Sequence, residues 1–301
     1  MQTLLVLLIS LFLINSGKAQ MAPPTLDYVA VPESFKLPAG MNFGGTSGVA
    51  INSKGNLFVL HRGQMPLMEF DPDGNFVRGW GDGLFDRPHG LRIDKDDNIW
   101  ATDVASHVAY KFNPSGRLEM VLGVKGRPGT MHEYGHLRLF NEPNEAVVGP
   151  SGDIYVLQGH GKAEPNIVKF DKDGNFIKVW GKKGKGPGEF DIPHSLVFDA
   201  QGLLYVADRS NQRIQVFDGN GKYETQWNNL HRPCGLFMTG GKCPVCYVGE
   251  LGPQLAIKTK PSGSFDDRSC CVFRDGRTFS VMSGKIDTIF FAVELRRRSW
   301  F

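Results

Sequence analysis

Two histidines stand at the same point of a recurring string. Pro88-His89-Gly90-Leu91 and Pro193-His194-Ser195-Leu196 each open an apolar stretch, and Pro233-Cys234-Gly235-Leu236 repeats the pattern with a thiol. Neutral imidazole is a good zinc ligand, and a catalytic zinc keeps three protein ligands and one open position. His89 and His194 would supply two of them, and Cys234 is a chemically competent third. The competing use of each histidine is to cap a strand through a backbone hydrogen bond. Recurrence at matching positions argues for the metal. Two arginines also match: Arg62 in Leu60-His61-Arg62-Gly63 and Arg209 in Ala207-Asp208-Arg209-Ser210. On one rim they would clamp a carboxylate between two planar forks; apart, they are solvated loop charges.

The elements that would position these side chains recur along the chain. Ser47–Leu60 is an apolar strand, a polar turn and a second strand, followed by Pro66–Trp80 with a Phe-Asp-Pro-Asp-Gly turn between two more. The same grammar returns at 89–123, 144–181 and 194–227, and a fifth copy begins at Arg232. Val49, Leu91, Ala146, Leu196 and Leu236 occupy one position, at spacings of 42, 55, 50 and 40 residues. Four short antiparallel strands per unit make a propeller blade, because one such sheet cannot bury both faces until copies stack radially. The fold expected is all-β, a propeller with about five recognisable blades. First strands line the central channel, so the residues that open them converge there. The longer spacings hold inserted loops at 124–141 and 182–191.

The 301 residues include 37 glycines, which suits many tight turns, and the net charge of +3 is spread without a basic face for nucleic acid. Leu4–Ile14 followed by Gly17-Lys18-Ala19 reads as an export signal cleaved after Ala19, too short for stable membrane insertion. The domain reading is a signal at 1–19, a lead-in at 20–42, the propeller at 43–257 and a divergent, non-repeat tail at 258–301. It implies a secreted, periplasmic or extracellular protein. Five cysteines, Cys234, Cys243, Cys246, Cys270 and Cys271, lie in the last quarter, and Cys243-Pro-Val-Cys246 suits a local disulfide.

Ser47-Gly-Val-Ala, His61-Arg-Gly, Pro88-His-Gly-Leu-Arg-Ile-Asp94, Thr102-Asp-Val-Ala, Pro193-His-Ser-Leu and Val206–Gln215 together resemble the peptidyl-α-hydroxyglycine α-amidating lyases, over about residues 43–250. These are NHL-repeat propellers of six blades. The resemblance implies cleavage of a C-terminal α-hydroxyglycine to a peptide amide and glyoxylate, with zinc on three histidines, a structural calcium, a tyrosine base and active-site arginines. Carried over, His89 and His194 hold zinc, Arg62 and Arg209 bind substrate, and the backbone carbonyls of Val49 and Leu91 hold calcium. Three features depart from the pattern. The tyrosine falls where this chain reads Gln158-Gly159-His160, so His160 becomes the candidate base. The third zinc histidine has no counterpart, leaving Cys234 as the nearest blade analogue, and the acidic calcium ligand is absent. Two functions follow: a zinc lyase acting on a peptide or small carbinolamide, or a non-catalytic module whose rim binds peptide, protein or glycan.

Overall fold

Asparagine and aspartate set the hairpins. Asp94 accepts the amide N–H groups of Asp96 and Asn98, Asp171 those of Asp173 and Asn175, and Asp218 those of Asn220 and Lys222. Each side chain replaces the backbone partner that the turn lacks. The glycine of each Phe-Asp/Asn-x-x-Gly turn then takes a left-handed φ, as at Gly174 (81°).

The computed structural model describes residues 34–129, 139–228, 230–239 and 245–251, and the backbone of Ser269–Phe273 and Thr278–Val281. The expected signal at 1–19, much of the lead-in, Cys243 and most of the tail lie outside the described residues, as does the core of the 124–141 insertion. Five four-stranded antiparallel sheets follow in order, each with its strands in chain sequence. Their first strands are Gly45–Ile51, Pro88–Ile93, Pro143–Val148, Pro193–Phe198 and Pro233–Met238. The second strands are Leu57–Arg62, Ile99–Asp103, Ile154–Gln158, Leu204–Asp208 and Val245–Glu250. The chain is therefore an all-β propeller of four-stranded blades. Ser269–Phe273 and Thr278–Val281 form the outer strands of blade five, beyond residue 257 where the repeat grammar ends. The 182–191 insertion holds a short parallel pair, Lys182–Lys183 with Glu189–Phe190. Among the described residues no helix is long and apolar enough to cross a membrane.

The core lies between blades rather than within them. Phe58, Leu60 and Leu67 of blade one meet Leu91, Ala101, Val108 and Phe112 of blade two, and equivalent clusters follow at the next three junctions. Truncating a side chain such as the fully buried Leu60 to Ala would cost about 2–5 kcal/mol. Strand alternation sends Val59, Met68 and Phe70 to the other face of blade one, where Phe35, Leu37, Met41 and Phe43 of the lead-in cover them. First strands pack on one another in succession from blade one to blade five, so they surround the axis. Among the described residues no comparable packing joins blade five back to blade one.

Candidate metal centre

Every first strand carries a β-bulge at the same point. Register with the second strand slips at Ser47, at His89 and Gly90, at Asn144, at His194 and at Cys234. A bulge leaves its residue unpaired and re-aims the side chain. The chemistry-bearing position is therefore released from the sheet ladder in all five blades.

A repeated clasp holds each bulge in place. The residue three places before it donates its amide N–H to the last side chain of the second strand, or in blade one to the next-to-last. The pairs are Gly44 to His61 Nδ1 (3.0 Å), Asp86 to Asp103 (2.7 Å), Asn141 to Gln158 (2.9 Å), Asp191 to Asp208 (2.8 Å) and His231 to Glu250 (2.8 Å). Three of these acceptors, His61, Asp103 and Asp208, are fully buried, where an unpaired amide would be costly. His61 fills this structural role with Nδ1 as acceptor and Nε2 against the Met65 carbonyl at 3.2 Å.

His89 and His194 are oriented by one device. Each donates from Nδ1 to the carbonyl of the bulge residue in the next blade: His89 to Asn144 and His194 to Cys234, both at 2.9 Å. A carbonyl can only accept, so Nδ1 carries the proton and Nε2 keeps its lone pair. This arrangement also orients metal-binding imidazoles. Sequence reasoning set strand capping and metal binding as rivals; here the backbone bond uses one nitrogen and frees the other.

His160 completes a group of three. Ligand-capable atoms of His89, His160 and His194 all lie within 4.8 Å of one another. Ring centroids are 4.4 Å apart for His89–His160, 4.7 Å for His89–His194 and 5.3 Å for His160–His194. His160 comes from the loop after the second strand of blade three. Glu142 holds that loop: its carbonyl accepts from Gly159 (3.1 Å) and His160 (3.4 Å), and its carboxylate accepts from Gly161 (2.6 Å). His107 Nδ1 in turn accepts the Glu142 amide at 3.1 Å. Gly159 has φ 100°, and a Cβ there would lie 2.5 Å from Pro165 Cα, so the turn requires glycine.

Burial keeps all three rings neutral. It lowers His89 to about 3, with the neighbouring His160 adding to the effect. Burial lowers His160 to about 4, followed by the Arg209 and Arg87 charges, and puts His194 well below its ordinary value with the help of His89 and Arg209. Three bare imidazole nitrogens, uncharged at neutral pH and facing one another, fit a divalent cation.

Three arginines surround the group. Arg62, Arg87 and Arg209 each press electrostatically on at least one of its histidines. Among the described residues none of the three forms an ion pair, whereas Arg78, Arg92 and Arg213 are paired with Glu69, Glu145 and Asp208. The Arg209 charge acts on the Cys234 thiol, and the Arg209 Nε is buried without a partner among the described residues. Cys234 stands outside the metal-capable group; burial raises its thiol pKa, and its carbonyl serves His194. Sequence reasoning missed Arg87, which breaks no repeat pattern, and saw His160 only as a base.

Known proteins share this architecture. The NHL repeat family matches residues 190–217, which include His194 and Arg209. NHL repeat-containing protein 3 of Homo sapiens is 37% identical over 241 residues, spanning 75% of this chain and 68% of that protein. A probable peptidyl-α-hydroxyglycine alpha-amidating lyase of Caenorhabditis elegans is 32% identical over 278 residues, spanning 81% and 73%. The chain belongs to this family of NHL-repeat propellers. The structure of streptogramin B lyase shares the propeller fold, with a TM-score of 0.59 at 16% identity over 85% of this chain and 74% of that one. Within the NHL-repeat propeller family, the three-histidine group and the arginines whose charges reach it give this chain a site equipped for metal-associated, lyase-like chemistry.

Proposed function

We propose that this chain is a zinc-dependent lyase that cleaves peptides ending in α-hydroxyglycine to the peptide amide and glyoxylate. The observation that carries this reading is the meeting of three neutral imidazoles within reach of the charges of three arginines that form no ion pair among the described residues. The similarity to a probable amidating lyase supports it.

His89, His194 and His160 would hold the zinc, His160 taking the place of the histidine missing from a late blade. Zinc bound there supplies a Lewis acid that polarises the substrate hydroxyl and lowers its pKa. Arg62 and Arg209 receive the substrate carboxylate, and Arg87 adds a third positive charge at the mouth. The hydroxyl gives up its proton, its oxygen electrons form the aldehyde C=O, and the C–N bond electrons leave on the amide nitrogen. That nitrogen takes up a proton, so the reaction is neutral in protons and electrons. With His160 in the ligand set, the hydroxyl proton passes to water at the rim, where Arg62 and Arg87 are exposed. The arginine charges hold the carboxylate through the step, which fixes the C–N bond relative to the metal.

The test is zinc content and glyoxylate release by the purified chain with an α-hydroxyglycine peptide. About one zinc per chain, with release that stops on chelation and returns with zinc, supports the lyase. A protein that binds no zinc and releases no glyoxylate overturns it and leaves the reading of a peptide-, protein- or glycan-binding module.

A further inference from the structure

We infer that Arg92 is the structural cation of the propeller axis, and that the blades are tied there without calcium. The resemblance assigns calcium to the carbonyls of Val49 and Leu91. In blades four and five the same repeat position is Leu196 and Leu236. Their carbonyls accept hydrogen bonds from Arg92 Nη2 at 3.1 and 2.9 Å. The same nitrogen reaches Ser195 Oγ at 3.0 Å, and Nε reaches Glu145 at 2.7 Å. One side chain from blade two thus engages blades three, four and five.

The anion of this network is fully used. Glu145 Oε1 accepts from Arg92, while Oε2 accepts from Ser195 Oγ (2.7 Å) and the Leu196 amide (2.8 Å). Ser195 Oγ also accepts the Leu236 amide at 3.1 Å. Calcium takes six to eight oxygen ligands and draws its affinity from carboxylate charge. Here the carboxylate on the axis is already engaged and a guanidinium lies beside it, so added calcium would meet repulsion. These residues do not fit a calcium site.

Both partners break the internal repeat. The Arg92 position is Ala50, Val147, Val197 and Phe237 in the other blades, each paired with an aromatic residue of its second strand, as Arg92 is with Trp100. The Glu145 position is Gly48, Gly90, Ser195 and Gly235, small residues that leave room at the axis. A charge placed in an apolar position and a carboxylate placed in a small one complement each other between blades two and three.

The full chain tests this without reference to zinc or turnover, so the outcome is separable from that of the lyase reading. Expected are no stoichiometric calcium by elemental analysis and no rise in Tm when millimolar calcium is added to EGTA-treated protein. Arg92→Met should lower Tm by about 5–10 °C, since it strands a buried carboxylate. Adding Glu145→Gln to Arg92→Met should recover part of the loss. Bound calcium, a Tm that falls in EGTA and is restored by calcium but not by zinc, or an Arg92→Met chain as stable as the parent would overturn the inference. If Arg92→Met does not fold, the calcium and EGTA measurements on the parent chain still decide it.

Discussion

His160 and His89 hold their ring centroids 4.4 Å apart although one follows a second strand of blade three and the other opens a first strand of blade two. Two different structural devices, a glutamate-held loop and a β-bulge, therefore converge on one point. If His160 is a ligand rather than a base, His160→Ala should reduce zinc affinity at least about 100-fold, as His89→Ala should. Competition with a zinc indicator measures this. Full zinc affinity in His160→Ala alongside lost turnover would return His160 to the base role.

Glu142 acts through His160. Glu142→Gln keeps the size of the side chain but weakens its hold on the Gly161 amide. Zinc affinity should fall by about 10-fold or more while Tm shifts little. Equal zinc affinity in parent and variant would mean the loop holds its shape without the carboxylate.

Arg87 should matter for substrate and not for metal. Arg87→Gln is expected to raise KM roughly tenfold, about 1.4 kcal/mol, with zinc content unchanged and kcat within about twofold. The parent enzyme should show a KM that rises with salt, and the variant a shallower rise. A KM unaffected by the substitution would remove Arg87 from the site.

His61 gives blade one the clasp whose acceptor is an imidazole. Burial lowers its pKa below the ordinary 6.5. The unfolded chain then binds more protons than the folded one just below pH 6.5, so the stability this group contributes is intact above that pH. It is lost as pH falls through the folded pKa. Protonation also places a hydrogen on Nδ1 where the Gly44 amide donates. In zinc-saturated protein, His61→Gln, the solution blade three already uses at Gln158, should flatten the fall in Tm below pH 6.5. Parallel Tm curves for parent and variant would contradict this.

Much of the fold was legible because its signals are local and periodic. Strand alternation and Asx turns recur along the repeat, and the Pro-x string recurs in blades two to five, so the sequence alone aligns His89 with His194 and Arg62 with Arg209. What escaped does not repeat. His160 belongs to a loop that departs from the repeat, and nothing in its spacing shows that Glu142 folds it back onto the axis. Arg92 and Glu145 look like ordinary charges in sequence; only their meeting across blades gives them a purpose. The outer strands of blade five escaped for the opposite reason, since Ser269–Phe273 carries no trace of the grammar yet pairs in the sheet. The 257 boundary marks where the pattern stops, short of where the pairing stops.

The five clasps use imidazole, carboxylate and amide interchangeably, and the residue each one holds is Ser47, His89, Asn144, His194 or Cys234. Frame and chemistry are thus decoupled. A lineage can exchange the group that faces the channel in a single blade while the amide anchor beneath it stays intact, which makes the propeller a panel of independently replaceable ligands.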